Sequence, residues 1–380
     1  MLSRDEPDRL PCSAGYPPQS LFAARQTEME NGLIMSKRVR FGLIGCGAIA
    51  KLHAVSIGEI EDAELVAAFD PYKPSLDKFV AEYGVKGCDT LEALLADPDV
   101  DAVSICTPSG LHTSQAVAAM KAGKHVVCEK PMSLTLAEAD ELIAAEKETG
   151  MKVCIISQYR FAAATQEVKR AIAAGAFGRI THASLSMRYF RANSYYDSGA
   201  WRATWAMDGG GAMMNQGIHG VDVFRYLLGP VKTINGLARC LTREKGGKPL
   251  EVEDAAAAVL EFENGALGVI EGSTTCYPGY PRRIVISGDK GSVVLEENSI
   301  VSWDLGDFEC RLSVGAQAKN SGASDPMAID NSGHVLQIGN LVRSILYGEE
   351  LLATAYSGRL PLEIILGIYE SSRSGKTVTL

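Results

Sequence analysis

The chain has 380 residues, 46% of them hydrophobic and 22% charged, and a formal net charge of -9. That length exceeds what one hydrophobic core usually supports, so two domains are expected, and the acidic balance excludes a nucleic-acid surface, which needs clustered Lys and Arg. The nine cysteines are scattered with no CxxC pair and read as free thiols of a reducing cytoplasm, while no apolar run approaches the roughly 20 residues that span a bilayer.

Residues 1 to 36 are Pro-rich and aperiodic, which reads as a disordered N-terminal extension, and Met35 just before the first strand-like run is a candidate natural start. The stretch "VRFGLIGCGAIAKLHA" then reads as a buried strand, a glycine turn and a helix opening near Ala48. Its spacing, Gly45-x-Gly47-x-x-Ala50, is a dinucleotide fingerprint: Gly45 permits the tight turn, Gly47 lets backbone reach a pyrophosphate, and the free N–H groups at Ala48 and Ile49 face the phosphates. A second strand ends in Asp70, placed to meet ribose hydroxyls and to repel a 2'-phosphate, so NAD is expected over NADP. A solvated turn before Pro71 is the plain alternative for this residue.

Apolar strands and amphipathic helices keep alternating to about residue 158, the pattern of a doubly wound parallel sheet covered on both faces. Ligands bind beyond the carboxyl ends of such strands. That puts Thr107, Pro108 and His112 of "TPSGLH" along the cofactor, and Glu129 and Lys130 of "EKP" at its nicotinamide end, with a cis bond before Pro131 possible in principle.

Beyond "SQYRF" the pattern changes to strands and hairpin turns such as "FENGALGVI", an open and mostly antiparallel sheet closed by two amphipathic helices, "VLQIGNLVRSILYG" and "PLEIILGIYESSRSG". Within this half, "GGGAMMNQGIHGVD" sets Asn215 and His219 at i, i+4, one face of a helix, behind three glycines that permit close approach to the backbone. A core histidine behind a loop is the plain alternative. The aromatic-rich "NSYYDSGAWRATW" offers Tyr195, Tyr196, Trp201 and Arg202 to a sugar face, and Arg160 and Asp222 are further candidates to meet substrate. No Cys/His cluster has metal-ligand spacing, and no metal is expected.

The order of the glycine fingerprint, Thr107-Pro108, Glu129-Lys130-Pro131, the triple glycine with Asn215 to His219, and "YESSRSGKTVTL" resembles the Gfo/Idh/MocA oxidoreductases from Lys37 to the C-terminus. The resemblance implies an NAD-binding Rossmann domain, residues 37–158, followed by an α+β domain with a large open sheet, residues 159–380, that binds substrate and forms a homodimer or homotetramer. It places Lys130 on the substrate and nicotinamide and His219 as the proton acceptor. Asn215 departs from the aspartate that many members carry there, and its lack of charge is expected to lower the pKa of His219. Three readings follow: NAD-dependent oxidation or reduction of a secondary alcohol on a sugar, cyclitol or sugar derivative; a redox-neutral glycoside hydrolase that retains NAD; and a non-catalytic regulator that binds NAD or sugar.

Overall fold

The computed structural model describes residues 38–315 and 330–380, and the expected N-terminal extension lies outside the described residues. The apolar runs of the first part form β1 (Val39–Ile44), β2 (Ala63–Phe69), β3 (Lys86–Gly87), β4 (Ala102–Ile105), β5 (His125–Cys128) and β6 (Val153–Ile155). They make one parallel sheet in the order β3-β2-β1-β4-β5-β6. Every residue of β4 is buried, as a strand sandwiched between helices requires.

The intervening helices are α1 (Ala48–Gly58), α2 (Lys73–Tyr83), α3 (Leu91–Leu95), α4 (His112–Lys121) and α5 (Leu136–Thr149). Their ends follow local chemistry. Thr135 and Glu138 close a capping box on α5, and Gly84 and Gly150 end α2 and α5 in the left-handed conformation. Strand order reverses between β1 and β4, so the crevice beyond their carboxyl ends is the switch point where ligands of such sheets sit.

After a 3-10 turn at Gln158–Phe161 the chain continues through α6 (Ala163–Ala173), β7 (Ile180–Arg188), α7 (Asn193–Asp197), a π-helical turn Ala212–Gly217, α8 (Ile218–Leu228) and β8 (Val231–Arg239). A two-strand ribbon, β9 (Glu244–Lys245) and β10 (Lys248–Pro249), precedes β11 (Ala255–Phe262), β12 (Leu267–Ser273), β13 (Arg283–Gly288), β14 (Ser292–Glu296) and β15 (Ser299–Asp304). Then come α9 (Ser332–Tyr347), α10 (Ala355–Ser374) and β16 (Val378–Thr379). The second sheet has eight strands in the order β15-β14-β13-β7-β12-β11-β8-β16, antiparallel except where β12 pairs parallel with β7. The Asn264-Gly265 turn joins β11 to β12, with Gly265 at φ +82.

One face of this sheet packs its alternating apolar residues, among them Leu185, Ile234, Leu260 and Ile270, into a core shared with α8 and α10. The opposite face leaves Leu237, Val259 and Val269 exposed. The C-terminal helix begins earlier than its sequence suggests: Pro361 reads as a first-turn residue, yet α10 starts at Ala355 behind a Thr354 capping box, with Pro361 inside it. Proline has no N–H, so the carbonyl of Ser357 loses its helical donor. Arg160 Nη2 donates to that oxygen at 3.1 Å instead.

Candidate active site

The glycine turn is shaped for close approach. Gly45 lies at φ +91, and a Cβ there would stand 2.8 Å from the Thr107 side chain, so only glycine passes between β1 and the loop after β4. Around Gly47 a Cβ would meet nothing within 4 Å, and α1 begins with no side-chain cap and no acidic residue in its first turn. Open space over uncapped N–H groups at Ala48 and Ile49 fits a pyrophosphate. Asp70 closes the turn, its carboxylate accepting from Cys46 N and Tyr72 N, each at 2.7 Å. The carboxylate remains half-buried at the end of β2, beside the turn rather than in solvent.

Thr107 and Pro108 line the same crevice, Thr107 Oγ1 donating to Gln115 at 2.6 Å. His112 does not face it. Its ring is buried, with Nδ1 2.7 Å from Pro131 O and Nε2 2.9 Å from Thr107 O, so it ties the loop after β4 to the loop after β5. Burial pushes His112 down, and a neutral ring can donate to only one of these carbonyls. The expectation of a cofactor contact at His112 becomes one of loop positioning.

Glu129 is corrected in the same way. It is sealed below the site, where Oε1 meets His53 Nε2 at 2.9 Å and Oε2 accepts from Lys130 N at 3.1 Å. His334, carried by α9, closes the cluster with Nε2 3.8 Å from the same carboxylate. Burial pushes the Glu129 carboxyl up, but the nearby His334 ring and the hydrogen bond with His53 outweigh it and hold the carboxyl well below its usual range. Burial also opposes charge on His53, yet Cys106 and Glu129 outweigh it and push the imidazole up to about 10. These ligand-type atoms all lie within 4.8 Å of one another, a cluster invisible in sequence spacing; the His53–Glu129 contact is a direct hydrogen bond. Its visible effect is to fix the turn that aims Lys130, whose bond to Pro131 is cis.

Lys130 Nζ crosses to the second sheet's layer and donates to the backbone carbonyl of Asn215 at 2.9 Å. Asn215 sits in the π-helical turn and His219 in the first turn of α8, so the expected single α-helical face is replaced by a π/α junction. The three glycines before it serve the protein's own packing: a Cβ at Gly209 would strike Leu134, at Gly210 the Tyr369 hydroxyl, and at Gly211 the carbonyl of Glu253. Gly209 and Gly210 also have φ +74 and +156. Glu253 holds the same segment, accepting from Gly211 N at 2.9 Å, Met213 N at 2.8 Å and the Tyr369 hydroxyl at 2.8 Å.

Lys130, Asn215 and His219 are half-buried. Burial, with the neighbouring charges of Arg202 and Arg191, pushes Lys130 down against the pull of Glu129 and Asp208. Burial and then the Lys130 charge hold His219 well below its usual range. The sequence expectation turned on the missing aspartate, whereas burial and Lys130 lead the causes found here. The ring of His219 packs edge-on against Tyr159, centroids 5.3 Å apart, and the Arg282 guanidinium lies over the Tyr159 ring at 4.1 Å.

In the aromatic loop, Tyr195 is bonded to the neighbour of Asn215. Its hydroxyl accepts from Arg202 at 2.6 Å and from Gln216 at 2.8 Å, and the Arg202 guanidinium covers both Tyr195 and Trp201. Tyr196 is corrected: it is 3% exposed and donates to Thr274. Arg160 and Asp222 are likewise corrected. They form a buried bidentate pair, and Arg160 also bonds Leu352 O and Ser357 O, which locks the end of the first sheet to α8 and to the start of α10. Asp222 is therefore spent on Arg160 and does not orient His219. Sequence reasoning missed Asp208, Gln216, Tyr159 and Glu253, since none stands in a motif with a spacing signal.

A parallel nucleotide-binding sheet, its glycine turn and a lysine–histidine pair facing a second open sheet define an NAD-binding Rossmann oxidoreductase. The chain matches "Oxidoreductase family, NAD-binding Rossmann fold" over residues 39–157 and "GFO/IDH/MocA C-terminal domain" over residues 165–294, and it belongs to the Gfo/Idh/MocA family. It is 32% identical to myo-inositol 2-dehydrogenase of Thermotoga maritima, over 70% of this chain and 78% of that protein. With scyllo-inositol 2-dehydrogenase (NAD(+)) of Bacillus subtilis it shares 28% identity over 91% of this chain and 97% of the other. The crystal structure of the WlbA dehydrogenase from Bordetella pertussis, in complex with NADH and UDP-GlcNAcA, superposes with a TM-score of 0.80 at 33% identity, covering 90% of this chain and 99% of that one. The chain is thus an oxidoreductase of a family that acts on sugars and inositols. Among the described residues no helix is long and apolar enough to cross a membrane.

Proposed function

We propose that this protein oxidises, or in reverse forms, a secondary hydroxyl of a sugar, cyclitol or sugar derivative, with Lys130 and His219 handling the reacting oxygen and its proton. The observation that carries this reading is the Lys130 Nζ to Asn215 O contact of 2.9 Å, which brings the lysine of the first sheet to the π/α junction bearing His219. Gly45, Gly47, Ala48, Ile49, Asp70, Thr107 and Pro108 are the residues that would hold the dinucleotide. When bound, NAD supplies the hydride acceptor.

His219 is the base. Burial beside Lys130 keeps its imidazole neutral at pH 7, with a lone pair free to accept the hydroxyl proton. Lys130 donates to the same oxygen and stabilises the negative charge that develops as the proton leaves. Asn215 fixes the lysine through its main-chain carbonyl. Tyr195, Trp201 and Arg202 form one wall, where stacked rings and a guanidinium suit the polar rim and apolar face of a sugar ring. The identities shared with the NADH- and UDP-GlcNAcA-bound dehydrogenase make nucleotide sugars, beside inositols, a substrate class to test first.

Asp70 supports NAD over NADP, because a carboxylate at the ribose end repels a 2'-phosphate. We also assign residues 37–158 to the nucleotide domain, residues 159–380 to the substrate domain, and the exposed Leu237, Val259 and Val269 face to contact with a second copy of the chain. The test is nicotinamide absorbance with NAD or NADP and a panel of inositols, hexoses, sugar acids and nucleotide sugars. Reduction with one compound class, faster with NAD, supports the reading; no reduction with any, while NAD binds, removes it.

A further inference from the structure

Asp208 immediately precedes the triple glycine, is 3% exposed, and has no part in the chemistry above. Its carboxylate is held at both ends. Oδ2 accepts from Ala203 N at 2.7 Å, and Oδ1 accepts from the Asn215 side-chain amide. The other end of that amide, Asn215 Oδ1, accepts from Gln216 Nε2 at 2.7 Å, so the orientation of Asn215 is fixed. The carbonyl of the same Asn215 receives Lys130 Nζ.

Five charged or titratable groups face Lys130: Glu129 from its own loop, Asp208 ahead of the π-helical turn, Arg202 from the aromatic loop, Arg191 from the segment after β7, and His219 from α8. Two of these are cations. Glu129 is bonded to His53 and to the Lys130 backbone. Asp208 is the carboxylate on the Asn215 side, and Asn215 itself brings no charge.

We propose that Asp208 is a positioning residue at Asn215: it orients the amide and adds to Glu129 a second negative charge that favours the ammonium form of Lys130 at the reacting hydroxyl. The inference rests on the role of Lys130 given above. A buried carboxylate beside a cation favours the charged lysine, and removing Asp208 leaves Glu129 alone against burial and two arginines.

The test reads Lys130 directly and needs neither substrate nor cofactor. The full chain, as wild type, Asp208→Asn and the swap Asp208→Asn with Asn215→Asp, is labelled with trinitrobenzenesulfonate across a pH series, and modification at Lys130 is counted by peptide mass spectrometry. With Asp208→Asn the labelling midpoint moves to lower pH, and at fixed pH on the rising limb the rate increases about tenfold, the effect of one nearby charge. The swap returns the midpoint to the wild-type value, because the charge comes back on the partner side chain. Simple loosening of the loop hydrates Lys130 and moves its midpoint up instead. An unchanged or raised midpoint in Asp208→Asn overturns the proposal, as does a lowered midpoint that the swap does not restore. Should Asp208→Asn fail to fold, the swap alone decides: a wild-type midpoint supports the proposal and any other contradicts it. Absence of turnover on the substrate panel would remove the functional reading and leave this result standing.

Discussion

Two polar clusters join the nucleotide-binding sheet to the second sheet, and they differ in what is left over. The Arg160–Asp222 pair is sealed, its charges cancel, and the remaining guanidinium bonds go to Leu352 and Ser357 carbonyls. The Lys130–Asn215–His219 cluster is half-buried and holds a neutral imidazole, with Lys130 Nζ on the Asn215 carbonyl. A half-buried lysine and a neutral imidazole are what the proposed reaction asks of its site. Complete pairing marks a strut.

The comparison breaks most sharply at the pair itself. Lys130→Met and His219→Ala each reduce turnover by about two to four orders of magnitude, the usual contribution of a positioned acid–base group. Stability and NAD affinity stay near wild type.

At the strut the effect is reversed. Asp222→Ala leaves Arg160 buried without its anion and lowers stability by about 3–5 kcal/mol, read as a shift in the urea midpoint. Any turnover that survives, corrected for the folded fraction, is close to wild type. Loss of turnover with unchanged stability would return Asp222 to the site.

A smaller effect separates the two by pH. Glu253 sits behind the glycine run, where burial pushes its carboxyl up from 4.5 to about 7 despite the donors of Met213, Tyr369 and Gly211. A carboxyl raised in the folded state contributes stability that is complete below its unfolded pKa and is lost as pH rises to its folded value. Stability therefore falls between pH 4.5 and about 7 on account of this group, and Glu253→Gln flattens that slope in a urea series. A slope unchanged in the variant would assign it to other groups.

The sequence made the scaffold legible because strands buried on both faces read as continuous apolar runs and the glycine fingerprint falls between β1 and α1. Motif order singled out Lys130 and His219, and the fold brings the lysine to the turn that precedes the histidine. What was not legible depended on distance along the chain or on irregular backbone. Arg160 and Asp222 are 62 residues apart and read as two ligands until their pairing is seen. The π-helical turn hides in an ordinary i, i+4 spacing, and Asp208 looks like a turn residue before glycines. Glu129 and His112 occupy the expected loops, but their side chains point into the protein, which periodicity does not encode.

The most direct measurement is nicotinamide absorbance in a single experiment on wild type, Lys130→Met and His219→Ala, with bound NAD quantified for each. The account predicts equal NAD binding in all three and rapid reduction in the wild type alone. Near-normal reduction by either variant, with NAD bound, would contradict it.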